Sequence, residues 1–163
     1  MRCGTSSLGD KLAAIRADFS DVIGAALVGY ETAERSHEGG PWSAWPDLPI
    51  RLHFDTGEAV SVSWSKFDDL WVEEGTPLPA WSEGSTVRWV RDGHDGLNQA
   101  LGGVIRSVSL GRGEMSVEGR DIEIWTRLLI EADAGWLEVF NALDENGYAF
   151  HALMPAGRFM RCV

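Results

Sequence analysis

Lysine is almost missing from this chain of 163 residues: Lys11 and Lys66 stand alone beside twelve arginines. Against these 14 basic groups stand 25 carboxylates, for a formal charge of −11. A phosphate backbone repels such a chain unless its arginines are segregated, and Arg106, Arg112, Arg120 and Arg127 are interleaved with Glu114, Glu118, Asp121 and Glu123. Nucleic acid is therefore disfavoured as a partner. Cysteine is equally sparse. Cys3 and Cys162 sit at opposite ends without C-x-x-C spacing or a nearby His pair, which argues against a metal site and favours a reduced thiol pair over a bridge between the termini. Long apolar runs are missing as well. Val22 to Val28 is the longest near the start, and Asp18 and Asp21 precede it, whereas a signal peptide wants basic residues there and a membrane span needs about 20 apolar positions. A cytoplasmic chain with no membrane partner is expected.

Recognisable catalytic patterns are also lacking. His37, His53, His94 and His151 are scattered, without H-x-x-x-H or H-E-x-x-H spacing. Gly4 to Gly9, with Ser6 and Ser7, is neither a Walker loop nor a nucleophile elbow, and Gly111-Arg112-Gly113 lacks a Rossmann setting. Asp92-Gly93-His94-Asp95-Gly96 reads as a polar turn before it reads as a metal site. No catalytic residue, metal or cofactor is expected, and the chain is read as a non-enzyme.

What is present is material for a core. Eight tryptophans and a 44% hydrophobic fraction exclude a disordered acidic tail, and a chain of this size buries about 70% of its unfolded surface in one core. A single domain over 1–163 is expected. Abundant Gly, Ala, Val and Arg suggest a GC-rich bacterial genome. Ser7, with Asp10 three residues on, caps an amphipathic helix to about Phe19, on which Leu8, Leu12, Ile15 and Phe19 form the apolar stripe.

Alternating patterns then follow. Val22 to Tyr30 reads as a strand and Glu31 to Trp45 as an exposed loop. Ile50, Leu52 and Phe54 lead through a turn at Asp55–Gly57 to Val60, Val62 and Trp64, which is a hairpin. Ser65 to Trp71 reads as a short helical turn, Gly75 to Gly84 as a loop and Thr86 to Val90 as a strand. Val104 to Leu110, a turn region over Gly111–Gly119, a long strand from Asp121 to Glu131, and Leu137 to Asn141 complete the pattern. In the long strand Ile122, Ile124, Leu128 and Ile130 are the expected core face, with Trp125 and Leu129 opposite. The stretch Arg51-Leu52-His53-Phe54-Asp55 and its Gly57 match Arg127-Leu128-Leu129-Ile130-Glu131 and its Gly135. This suggests a degenerate duplication about 76 residues apart, over 22–90 and 104–153, although any two hairpins share such features. The expected class is α+β: a mostly antiparallel curved sheet of about eight strands with one N-terminal helix.

Two acidic segments are candidate binding residues. Phe67 to Glu74 sets Asp68, Asp69, Glu73 and Glu74 around Trp71, a mixture suited to docking a basic surface with the tryptophan as anchor, and equally to a solvated face. Asn141 to Tyr148 reads as a turn in which Asn146 and Gly147 tolerate positive φ, with Asp144 and Glu145 exposed as a secondary contact.

By size, acidity, tryptophan content and the phrase Trp136-Leu137-Glu138-Val139-Phe140-Asn141-Ala142-Leu143-Asp144-Glu145-Asn146-Gly147, the chain resembles small bacterial proteins similar to immunity proteins encoded beside polymorphic toxins. The likeness runs from about Pro49 to Tyr148 and includes no active-site motif. It implies an inhibitor that binds and blocks a cognate toxin enzyme, its acidic face steering encounter with a basic partner. A small-molecule-binding domain with a Trp-lined pocket is the alternative, and a homodimer is compatible with either.

Overall fold

The computed structural model describes residues 5–75 and 85–163. Cys3 and all but the first residue of the loop expected over Gly75–Gly84 lie outside them. The α+β class holds, with 55% strand, mostly antiparallel, and 12% helix. The strands divide between two sheets where one curved sheet was expected. Among the described residues no helix is long and apolar enough to cross a membrane.

Helix α1 spans Leu8–Phe19, and the Ser7 side chain accepts from the Asp10 amide at its N-terminus. Its fully buried positions are Lys11, Ile15 and Phe19, one turn apart, while Leu8 and Leu12 pack only partly. A charged residue thus heads the stripe that the apolar pattern had assigned to leucine. Beyond a 3₁₀ turn at Ser20–Val22, β1 runs over Leu27–His37. The strand starts later than the apolar run at Val22 and continues into the first part of the expected loop, as far as His37, where Thr32, Ala33 and Ser36 are small enough to be buried between neighbouring strands. The remaining strands of this sheet are β2 (Ser43–Ala44), β3 (Ile50–Phe54), β4 (Ala59–Ser65), β5 (Asp69–Glu74) and β6 (Ser85–Arg91). Their order is β2-β1-β3-β4-β5, with β6 also paired to β1. The turn expected to be helical over Ser65–Trp71 is a tight reversal with Lys66 at φ 52°, and β5 begins at Asp69.

The second sheet comprises β7 (Ile105–Val117), β8 (Arg120–Ala132), β9 (Gly135–Asn141), β10 (Asn146–His151) and β11 (Phe159–Arg161), in the order β10-β9-β8-β7-β11. The broad turn expected over Gly111–Gly119 contracts to Glu118 and Gly119, both at positive φ as a two-residue hairpin loop requires. Each sheet contains a meander entered from a 3₁₀ turn. The meanders begin at Leu27 and Ile105, and their third strands begin at Ala59 and Gly135. The two entrances pair with each other at Ala26 and Val104, flanked by Ile105 N–H to Ala25 O and Leu27 N–H to Gly103 O at 2.9 and 3.0 Å.

One apolar cluster draws on α1 and on both sheets, including Phe19, Leu52, Val62, Trp64, Leu110, Leu128 and Val139. Within β8 the expected face assignment fails at one point. Gly111 lies opposite Arg127 and Arg112 opposite Trp125, so Thr126 is the extra residue of a β-bulge. The bulge reverses the alternation. Trp125 joins Leu128 and Ile130 in the core, whereas Ile124 is half-buried and Ile122 is exposed on the other side.

Asn146 closes a gap between the sheets. The β3–β4 ladder ends at Ile50 and Val62, and two positions further on Leu48 and Trp64 are not paired with each other. The Asn146 Oδ1 accepts from Trp64 N–H at 2.6 Å, while its Nδ2 donates to Leu48 O at 3.0 Å and Pro46 O at 2.6 Å, with Ser63 Oγ at 3.2 Å. Nearby, the Trp64 indole N–H reaches Val139 O at 2.9 Å. The positive-φ positions of this hairpin are therefore Leu143 and Asp144, and Asn146 is a buried strand residue.

Cys162 is a buried free thiol, and burial pushes it up from 9.0 to about 11, against the opposing backbone contact at Leu110 and the charge of Arg16. Because the folded value exceeds the unfolded one, this group's contribution is fully present below pH 9 and is lost as pH rises through about 11. Wild type is expected to lose about 2 kcal/mol more stability than Cys162→Ala between about pH 8 and pH 11, read from urea unfolding at each pH. Parallel pH profiles would refute it.

Candidate functional site

The acidic segment is an edge strand with much of its charge already matched. In β5, Leu70 and Val72 point into the core, while Asp69, Trp71 and Glu73 share the opposite face. Backbone bonds to Thr5 cover part of the outer edge, at Leu70. Asp68 and Asp69 take up the only two lysines, at 3.4 Å from Lys11 and 3.6 Å from Lys66. Lys11 is 1% exposed, donates to Trp125 O at 2.9 Å and lies 5.5 Å from the Trp64 ring centre. Desolvation pulls its ammonium below the ordinary value, with Asp68 opposing. Trp71 and Glu73 are half-buried, and Glu74 is exposed.

The face that carries Trp71 and Glu73 continues across the sheet through Ser61, Arg51 and Glu31, which are aligned by strand register. Arg51 is 5% exposed, stacks 3.1 Å from the Trp89 ring centre and lies 3.9 Å from Glu31, whose carboxylate also holds His53 at 2.8 Å. Trp42 and Trp45 similarly lie against Arg88 and Arg35. Asp92 and His94, the polar turn weighed as a metal site, are engaged by Tyr30. Its N–H donates to Asp92 Oδ1 at 2.8 Å, and its hydroxyl accepts from His94 N–H at 2.9 Å.

Asn141 links the turn that opens the first acidic segment with the second acidic loop. Its Nδ2 donates to both Lys66 O and Phe67 O at 2.9 Å, and its Oδ1 accepts the Asp144 N–H at 3.0 Å. The loop holds Leu143 at φ 61° and Asp144 at φ 70°, conformations that cost a non-glycine residue energy. Leu143 is 94% exposed and Phe67 is 72% exposed. These side chains, with Asp144, form one wall of a cleft of about 1290 Å³ on the outer face of the second sheet. Asp144 and Glu145 are exposed beside Leu143, whereas Asp68, Asp69, Trp71, Glu73 and Glu74 do not line the cleft.

The cleft has an apolar and a polar half. Met115, Ile122, Ile124 and Phe140 supply the first, and the Phe140 ring lies over Gly147, where a Cβ would collide with it. At the other end Glu138, 4% exposed, binds His151 Nε2 at 2.6 Å through one oxygen and Arg127 Nε at 2.5 Å through the other. Arg127 also donates to Ala156 O at 3.0 Å. Among the described residues no tryptophan lines the cleft.

Sequence reading passed over the cleft for two reasons. Ile122 and Ile124 carried a core pattern until the bulge turned them out, and Phe67 and Leu143 stand 76 positions apart. The signal that was available is Leu143 itself, an apolar residue in a polar turn. Comparison with protein-family models, curated proteins and solved structures finds no match for this chain.

Proposed function

We propose that the chain is a protein-binding module of the immunity type, which blocks a basic toxin enzyme by seating part of it in the cleft of the second sheet. The observation that carries this reading is the pair Phe67 and Leu143, 72% and 94% exposed on one cleft wall. Large apolar side chains left in water beside a concave surface mark contact sites. Carboxylates at Asp144 and Glu145 flank the apolar tip, the arrangement of an anchor within a polar rim. The cleft volume exceeds the roughly 300–1,000 Å³ of small-molecule pockets, which favours a polypeptide over a metabolite. A charge of −11 would hasten encounter with a basic enzyme.

The test starts from an enzyme that co-purifies with the tagged chain at low salt and is then assayed alone and with an equimolar amount of the chain. Loss of activity at one-to-one stoichiometry is expected, with association slowing as salt rises. Phe67→Asp combined with Leu143→Asp is expected to weaken the complex at least about 100-fold without moving the unfolding midpoint, because both side chains are exposed. Unchanged affinity, or binding that leaves the enzyme fully active, overturns the reading.

A further inference from the structure

We propose that the partner's segment enters the cleft as an added β-strand on the free edge of β8 over Arg120–Trp125, and that it alternates apolar with basic side chains. This rests on the protein-binding reading above and specifies its chemistry. Three observations converge on it.

The first is the backbone. β8 pairs with β9 only from Arg127 onward, since Arg127 opposite Phe140 is the last rung before the bulge at Thr126. Over Arg120–Trp125 the described residues place a strand, β7, on one side of β8 alone. Along that edge every second residue turns its N–H and C=O away from β7, and these groups are open to a further strand except the Trp125 carbonyl, which already accepts from Lys11 Nζ at 2.9 Å. The cleft adjoins this edge: Asp121, Ile122 and Ile124 of β8 line it, as do Phe140 and Asn141 of β9 and Leu143 beyond it. An added strand would continue the sheet along the line that β9 leaves at Asn141.

The second observation is the side-chain pattern along the edge. Ile122 and Ile124 belong to the cleft face, with Met115 directly across from Ile122 on β7. Ile122 is 39% exposed. Asp121 and Glu123 are exposed on the alternate positions, and neither is in an ion pair among the described residues, although one Glu123 oxygen accepts from the Trp125 indole N–H at 3.1 Å. Cross-strand neighbours at 4.5–5.5 Å are the unit of sheet recognition, so isoleucines call for apolar residues opposite and the two carboxylates call for Lys or Arg.

The third is what the edge rejects. A second copy pairing antiparallel about Glu123 would set that carboxylate against its own equivalent, in a dimer of two chains each at −11. A basic partner meets neither penalty.

The experiment uses the full chain, isotopically labelled, with a ten-residue peptide of alternating Val and Lys at about 1 mM, where weak segment binding becomes visible. Amide exchange is followed by NMR. The outward-pointing amides of Arg120–Trp125 are expected to slow by roughly tenfold, as ladder formation demands. A peptide of the same composition in two blocks, and one N-methylated at every second residue, should leave them unchanged. Asp121→Lys with Glu123→Gln should abolish the effect at an unaltered unfolding midpoint, because the glutamine keeps an oxygen for the Trp125 indole N–H.

Unslowed amides on this stretch, or protection confined to Phe67 and Leu143, overturn strand addition. Protection of the same amides in the concentrated chain alone also overturns it and makes a second copy the occupant. The two readings separate cleanly. If the edge stays open while the Phe67 and Leu143 double variant still releases its enzyme, strand addition falls and the protein-binding module stands.

Discussion

Asn146→Leu is expected to lower unfolding stability by about 4 kcal/mol. The substitution keeps the branched four-atom skeleton of the side chain and removes every polar contact it makes. Trp64 N–H and Leu48 O then lose their partner beyond the end of the β3–β4 ladder, and Pro46 O and Ser63 Oγ lose a donor. A buried group stripped of its partner costs about 1–3 kcal/mol, and the contributions within one network are not additive. Pro46 O keeps the Asn146 backbone N–H at 3.0 Å, which limits the total. Ser63→Ala is the control, because it deletes only the 3.2 Å contact and is expected to cost about 1 kcal/mol or less. Urea unfolding of the three proteins at neutral pH decides the matter. An Asn146→Leu loss no greater than that of Ser63→Ala would mean that the amide does not join the two sheets.

Glu138→Ala comes second, at about 3 kcal/mol. Glu138 is 4% exposed and its carboxylate holds Arg127 and His151 on separate oxygens. Removing the central partner of a buried ion group leaves the other charge uncompensated, which costs about 3–5 kcal/mol when both are fully buried. Here the Arg127 and His151 side chains are 22% and 30% exposed, so water screens part of the loss. Glu138→Gln should cost distinctly less, since one amide oxygen still accepts from Arg127. A double-mutant cycle with Arg127→Met isolates the pair, and coupling near zero would reduce Glu138 to a space-filling residue. Because the triad floors the polar half of the cleft, the alanine variant should also disturb binding there. The Phe67 and Leu143 substitutions, by contrast, act on binding alone.

Local signals made part of this molecule legible. The cap at Ser7 and the four-three-four spacing that follows specify a helix, and it forms over Leu8–Phe19. Ile50 to Trp64 alternates with a turn at Asp55–Gly57, and strands β3 and β4 follow it. Such features depend on neighbours within a few residues, where a period of two or of 3.6 names the element directly. The candidate site was legible only in fragments. Asp144 and Glu145 do stand in an exposed loop beside the cleft, but nothing near Asp68 in the sequence announces that Lys11, 57 positions away, pairs with it. Lys11 occupies a stripe position that its charge would disfavour, and it is buried only because Asp68 and the Trp125 carbonyl arrive from elsewhere in the chain.

By itself, then, the sequence determined the α+β class, the N-terminal helix, the hairpins and the acidic charge, because each is a sum over composition or a pattern within one element. Tertiary structure alone decided which side of β8 became the core, since the bulge at Thr126 exists only in the pairing with β7. It also decided that Asn146 bonds across to Leu48 and Trp64, and that Phe67 and Leu143 share a wall. The reason is common to all three: a contact between distant residues is set by strand register, and a one-residue change in register moves every side chain to the opposite face.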